Sequence, residues 1–189
     1  EVSGGLIVAL PGPDEDHNPA TAATLAEVLH ANPNVPYDKR IEATNFALNN
    51  DDGTRTSEYD RADVILLGVS RSGKTPTCLY LALTYGVFAA NYPLSEDEFE
   101  TGRLPRILEP YRDKLFGLSI SPERLQQIRR ERRPEGRYAS IEQVRYELRG
   151  AEALFRRYQI GWVDTTGFSI EEIASKILST TGIERRVRP

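Results

Sequence analysis

The chain has 189 residues, of which 39% are apolar and 28% charged, with a formal net charge of −4. That length suits one α/β domain with a sizeable core, and the composition is that of an ordinary globular protein. No apolar run approaches the roughly 20 residues that span a bilayer, no secretory signal pattern opens the chain, and a lone cysteine, Cys78, excludes an internal disulfide and fits a reducing, cytoplasmic setting.

Methionine is absent and the first residue is Glu1, so the chain is expected to be a piece of a longer protein. Charge is unevenly placed. Residues 1–60 hold 11 acids against 3 bases, and residues 61–189 hold 17 acids against 21 bases. The excess base lies in "SPERLQQIRRERRPEGR" (121–137), with six arginines against three glutamates. Such a run is either a solvated helix face or an anion site, and the planar arginine fork grips phosphate oxygens in pairs. Nucleic acid is disfavoured, because the chain is acidic and no basic face carries interleaved aromatics.

Residues 1–36 read least clearly. "GLIVAL" suits a strand, "PGPDEDHNP" a loop, and "TAATLAEVLHA" a short helix. "YDKRIEATNFALNN" places Ile41, Asn45, Phe46 and Leu48 at helical spacing, and "DDG" stops it. "TRTSEYDRA" reads as a connecting loop. "DVILLG" is an unalternating apolar run and reads as a buried strand. "KTPTCLYLALTYG" reads as a helix ended by Gly86, with Cys78 a small buried residue inside it. "VFAANYP" is a second strand, and "EDEFETGRLPRILEPYRDK" is polar and helical in part. "LFGLSI" is a third strand, followed by a helix with Ser121 as its N-cap and Pro122 at its first position. "SIEQVRYELRGAEALFRRY" is a long amphipathic helix. "IGWVDTT" is the fourth strand, and the last helix opens on a Ser169–Glu172 capping box. This alternation predicts an α/β fold with a parallel sheet and helices on both faces, of the P-loop NTPase-like kind.

"GVSRSGKT", residues 68–75, lies between a strand and a helix and fits G-x-x-x-x-G-K-[ST] through Gly68, Gly73, Lys74 and Thr75. Glycines let backbone N–H groups approach oxygen closely. The opening helix offers unpaired N–H groups and the positive end of its dipole. Val69, Ser70, Arg71 and Ser72 form the loop interior, where Arg71 adds positive charge. Lys74 is a flexible point charge for a β-phosphate, and the Thr75 hydroxyl suits a Mg²⁺ shell that otherwise keeps waters. The loop alone does not choose between an NTPase, a small-molecule kinase and a protein kinase.

Phosphoryl transfer to a hydroxyl also needs a metal holder and a proton acceptor. Asp164, ending the fourth strand, is a candidate for the metal, or simply a cap for the next turn. Asp51 and Asp52 in "NNDDGT" are either an Asp-Gly turn or a base and magnesium contact. Both histidines, His17 and His30, lie in the opening segment, so a catalytic unit in 37–189 must use a carboxylate as its base. Arg124, Arg129, Arg130 and Arg133 are candidate anion donors.

"YDKRIEATNFALNNDDG", "ADVILLGVSRSGKTPTCLYLA", "AANYP", "KLFGLSISPERLQQIRRERR", "RYAS" and "TTGFSIEEIASKIL" together resemble the phosphoenolpyruvate synthase regulatory proteins, sisters of the pyruvate, phosphate dikinase regulatory proteins. The resemblance runs from about Tyr37 to the C-terminal end, and "SGKTPT" and "AANYP" favour the synthase branch. It implies a catalytic domain over 37–189, with residues 1–36 the remnant of a truncated N-terminal domain. It also implies a bifunctional enzyme. ADP phosphorylates a threonine of the target near its catalytic histidine, which inactivates it. Inorganic phosphate then removes that group as pyrophosphate, which restores it. On this reading the phosphate loop holds ADP and inorganic phosphate, Lys74 and Arg71 act on the transferring group, and Asp51 or Asp52 is the base. Thr75 and Asp164 hold Mg²⁺. A homo-oligomer is compatible with all of this. One departure stands out: Asn50 precedes "DDG" where the family often has histidine. The "VDTTGFSIEEIASKIL" ending also resembles ATP-dependent small-molecule P-loop kinases. A nucleotide-binding module that lacks activity through truncation is the third reading.

Overall fold

The computed structural model of the chain describes residues 37–183. The expected strand "GLIVAL", the helix "TAATLAEVLHA" and both histidines lie outside these residues.

Helix α1 (Tyr37–Asn49) buries Arg40, Ala43, Thr44 and Ala47, an i, i+3, i+4, i+7 stripe, together with Phe46. Leu48 is 56% exposed, so the inward face lies one position off the Ile41–Asn45–Leu48 spacing. The small residues of the stripe allow α1 to lie close against α2 (Lys74–Tyr85), its main neighbour. The segment read as a connecting loop is partly ordered as a 3-10 helix, Thr56–Arg61. Its anchor is Tyr59, which is fully buried and donates its hydroxyl to the Asn91 carbonyl at 3.0 Å. One enclosed aromatic side chain is enough to pin a short polar segment.

Strand β1 (Val64–Gly68) is buried throughout, and β2 (Ala89–Pro93), β3 (Leu115–Ser119) and β4 (Gly161–Asp164) complete a four-stranded sheet in the order β2-β1-β3-β4. Every pairing is parallel, with Leu66 opposite both Asn91 and Phe116. A central parallel strand is covered on both faces, which explains the unbroken apolar runs of β1 and β3.

Between the strands lie α3 (Glu96–Thr101), a 3-10 stretch (Arg106–Lys114), α4 (Pro122–Arg132) and α5 (Ile141–Tyr158), and α6 (Ile170–Thr181) follows β4. The predicted caps form: Ser121 accepts from the Arg124 N–H, Ser169 and Glu172 make their capping box, and Gly86 ends α2 in the left-handed conformation. Alternation along β3 and β4 shows how the two faces are covered. A Cβ on Gly117 would lie 2.7 Å from the Phe155 ring of α5, and Trp162, paired with Gly117, packs on that same ring. Gly161, one residue away and so on the opposite face, looks toward Phe116 and Thr180 of α6. Helix α5 therefore covers one face and α6 the other. The glycine at 117 lets Phe155 lie flat on the sheet, where full burial of such a side chain contributes about 1.5–3 kcal/mol.

Candidate functional site

The 68–75 loop leaves β1 at its C-terminal end and opens α2. Gly68 is required there by space: a Cβ would come within 2.6 Å of Ser72 Oγ and 2.7 Å of the Leu118 carbonyl. Arg71 (φ 73°) and Gly73 (φ 93°) are both left-handed, which folds the loop back over its own start. Ser72 N–H donates to the Val69 carbonyl at 3.3 Å. Lys74 Nζ donates to the same carbonyl at 3.0 Å. One of its three N–H donors is thereby used. Lys74 is buried, and burial lowers its pKa to about 8; the Asp52 carboxylate pulls the other way, as does Asp51, while Arg129 adds to the lowering. Val69 and Ser72 are enclosed, whereas Ser70 and Arg71 are exposed. The hydroxyl of Ser72 is buried without a hydrogen-bond partner.

The structure brings Asp51 to this loop. Thr75 Oγ1 donates to Asp51 Oδ1 at 2.8 Å, and Asn91 Nδ2 donates to the same oxygen. The Asp52 N–H donates to Asn91 Oδ1 at 3.0 Å. A single buried amide thus holds both residues of the pair, and Asp52 takes a left-handed φ of 47° as it does so. Asn91 is itself fixed from both sides, by the Asn50 carbonyl at 3.2 Å and by Tyr59. Asn50 is fully buried and donates its side-chain amide to the Phe46 carbonyl at 2.9 Å. Sequence reasoning missed Asn91. Its signal was present as the one amide inside the otherwise apolar "VFAANYP".

The four arginines part company. Helical spacing turns Leu125 and Arg129 inward, while Arg124, Arg130 and Arg133 are exposed, and Arg124 bonds Gln127 at 2.9 Å. Arg129 is fully buried and pairs with Glu147 at 2.5 Å. It also donates to the Ser70 carbonyl at 3.1 Å and to the Tyr138 carbonyl at 3.0 Å, and its guanidinium lies over the Tyr138 ring. The Tyr138 hydroxyl stands 3.0 Å from Ser70 Oγ. Arg129 therefore grips the loop backbone. Of the two residues that complete this grip, Tyr138 lies in the quoted "RYAS" segment without its role being marked, and Glu147 lies in no motif at all.

Asp164 ends β4 with its carboxylate turned to its own turn, accepting from the Thr166 N–H at 2.8 Å and from the Thr166 hydroxyl. Neighbouring Thr165 donates to the Ser119 carbonyl at 3.0 Å and approaches the Ser72 carbonyl at 3.5 Å, so this turn abuts the loop. Among the described residues no group of three or more His, Cys, Asp or Glu side chains is placed to hold a metal. The Thr75–Asp51 pair fits a hard cation of the Mg²⁺ kind, which takes one or two protein oxygens and completes its shell with water and phosphate. No helix among the described residues is long and apolar enough to cross a membrane.

The Kinase/pyrophosphorylase family matches residues 15–178, beginning upstream of Tyr37. A relative from Stutzerimonas stutzeri (strain A1501), provisionally named a phosphoenolpyruvate synthase regulatory protein, is 59% identical over 155 residues, covering 82% of this chain and 57% of the relative. One of the same provisional name from Pseudomonas aeruginosa (strain LESB58) is 58% identical over 155 residues, covering 82% and 57%. Another from Marinobacter nauticus is 48% identical over 172 residues, covering 91% and 64%. The chain thus spans little more than half the length of the first two relatives. With its strand–loop–helix phosphate cradle and the matched range together, the chain belongs to the kinase/pyrophosphorylase family.

Proposed function

We propose that the chain carries the catalytic unit of a bifunctional regulator of phosphoenolpyruvate synthase, or of the related pyruvate, phosphate dikinase. In the forward direction a threonine hydroxyl of the target attacks the β-phosphorus of ADP. The new Oγ–P bond forms as the bond to the bridging oxygen breaks, AMP leaves, and the hydroxyl proton passes to a carboxylate. In the other direction an oxygen of inorganic phosphate attacks the phosphothreonine phosphorus. Pyrophosphate departs and the threonine oxygen regains a proton.

The observation that supports this most is the Thr75–Asp51 bond, because it sets a carboxylate pair against the Lys-Thr end of the phosphate loop. Lys74 and the loop amides stabilise charge on the transferring group, and Arg71 adds charge from the loop interior. Asp51, already bonded to Thr75 and Asn91, serves the metal side with Thr75; Asp164, at the end of β4, is the other carboxylate on offer. Mg²⁺, when bound, neutralises phosphate charge. Asp52 bonds Asn91 through its N–H and accepts the threonine proton. Arg124, Arg130 and Arg133 keep exposed guanidiniums for incoming anions, whereas Arg129 acts through the loop. The lone cysteine, fully enclosed at position 78, supports a cytoplasmic site of action.

The test is transfer of label from ADP or ATP to purified phosphoenolpyruvate synthase, repeated with inorganic phosphate. Threonine labelling from ADP, reversed by phosphate with release of pyrophosphate, is expected. Transfer from ATP alone to a metabolite sinks the proposal in favour of a small-molecule kinase. Nucleotide binding without any transfer makes the chain a binding module. Lys74→Ala is expected to lose both directions with the fold intact, and loss of one direction alone contradicts a shared site.

A further inference from the structure

Beside the loop, on the side of β2, lies a cavity of about 350 Å³. It is bounded by Ser70 of the loop, by Leu94 and Glu96 just after β2, by Phe99 of α3, and by Tyr138 and Gln143. We propose that this cavity seats the acceptor polypeptide, taking an apolar side chain of the segment that carries the phosphorylated threonine. The inference rests on the transfer reaction proposed above and names where its protein substrate is held.

The electrostatics argue against the donor's phosphates. Glu96 and Glu147 both line the cavity, and Arg137, the lining arginine, is already paired with Glu96 at 2.9 Å. Glu147 is paired with Arg129. A polyphosphate there would meet two carboxylates with no uncommitted cation among the lining side chains. An uncharged or basic peptide meets no such penalty.

The wall chemistry suits a side chain. Gln143 is nearly enclosed, and its Nε2 donates to Glu96 Oε1 at 2.6 Å and to Glu147 Oε1 at 3.0 Å. That amide, with Arg129 and Arg137, satisfies the two lining carboxylates, and Leu94, Phe99 and the Tyr138 ring supply the apolar surface. A cavity of this size takes one large side chain with its flanking backbone, not a folded element. The exposed Arg137–Glu96 pair offers polar contacts to peptide backbone.

The cavity wall is tied to the loop and to the support of the carboxylates through one short segment. The Leu94 N–H donates to the Gly68 carbonyl at 3.1 Å, which fastens the cavity wall to the base of the loop. Three residues earlier, on β2 itself, Asn91 holds Asp51 and Asp52. One short stretch of chain, 91–96, therefore carries both the cavity wall and the support of the carboxylates. On this proposal, a segment seated against Leu94 and Phe99 places its threonine at the loop that Ser70 and Gly68 share with the cavity wall.

The experiment uses the 189-residue chain, purified phosphoenolpyruvate synthase and ADP. Phe99→Ala is expected to raise the KM for the synthase about tenfold, the worth of one apolar contact in a specificity pocket, with the Kd for ADP unchanged. Arg137→Ala, a change at a 72%-exposed side chain that leaves the core untouched, is expected to raise that KM about threefold. Urea unfolding checks that both variants are folded. A weakened Kd for ADP with an unchanged KM assigns the cavity to the donor nucleoside and overturns the proposal. Unchanged KM and Kd in both variants overturn it as well. Direct titration of the synthase against wild type and variants separates docking from chemistry. Synthase that binds wild type but receives no phosphate refutes the transfer reaction alone, and weaker binding by Phe99→Ala then still supports the cavity. Absence of binding by wild type refutes both.

Discussion

The guanidinium of Arg129 donates to the backbone carbonyl of Ser70 at 3.1 Å, joining the helix after β3 to the first half of the phosphate loop. The same nitrogen meets Glu147, so an ion pair enclosed beneath the loop sets where its backbone runs. Removing one partner of a buried pair leaves the other charge uncompensated, at a cost of about 3–5 kcal/mol. Arg129→Ala is therefore expected to lose about 3 kcal/mol of stability and most ADP affinity. Arg129→Lys keeps the charge but not the fork, and is expected to recover only part of both. Urea unfolding and nucleotide titration read the two effects. Full ADP affinity in a folded Arg129→Ala would remove the loop-gripping role.

Lys74 is expected to make ADP binding depend on pH. Its pKa is lowered to about 8 because the ammonium is buried, so the free chain loses this charge as pH rises through that value. A bound polyanion favours the ammonium and raises the pKa again. Affinity is thus expected to fall above pH 8, and binding at pH 8 should take up about half a proton. Calorimetry in buffers of different ionisation enthalpy measures that uptake. Lys74→Met is expected to abolish it, and an unchanged uptake in that variant would assign the proton elsewhere.

Gly68→Ala is expected to disable the loop. The added methyl meets the Leu118 carbonyl at 2.7 Å, and a main-chain atom of the central sheet cannot step aside as a side chain can. Overpacking of this kind costs about 1–3 kcal/mol. Truncating the other close neighbour, in Gly68→Ala/Ser72→Ala, should not restore ADP binding. Restoration by the double variant would mean that Ser72 Oγ, at 2.6 Å, is the real obstacle.

Asp51 and Asp52 are expected to separate by kinetics. Asp52→Asn should lower kcat about 100-fold in threonine phosphorylation with little change in ADP binding, as loss of a proton acceptor does. Asp51→Asn should instead raise the Mg²⁺ concentration needed for half-maximal rate, because Asp51 is the carboxylate bonded to Thr75. Interchanged phenotypes would reverse the two assignments.

Much of the fold was legible because each element carried its own local signal. The central strand announced itself as an apolar run and the others as short segments between helices, and Ser121, Ser169 and Gly86 marked helix ends through bonds made within one turn. The Thr56–Arg61 segment escaped that reading. Its order comes from one buried ring, Tyr59, reaching a carbonyl 32 positions away, and nothing in "TRTSEYDRA" points to the partner. The inward face of α1 escaped for a similar reason, since a stripe of Ala and Thr looks weakly apolar until a second helix lies against it.

For the site, the sequence by itself determined the phosphate loop, because glycine, lysine and threonine at that spacing act through backbone they themselves shape. It also determined which carboxylates were available at 51 and 52. Only the tertiary structure decided how they meet. Asp51 reaches Thr75 because β2 lies beside β1 and presents Asn91 between them, a matter of strand order rather than of spacing. It likewise separated four arginines that look alike in the text. Arg129 turns under the loop because α4 packs its Leu125–Arg129 face inward, while Arg124, Arg130 and Arg133 stay in solvent. Side-chain chemistry is written in the chain, but its direction and its partners are set by packing between elements distant in sequence.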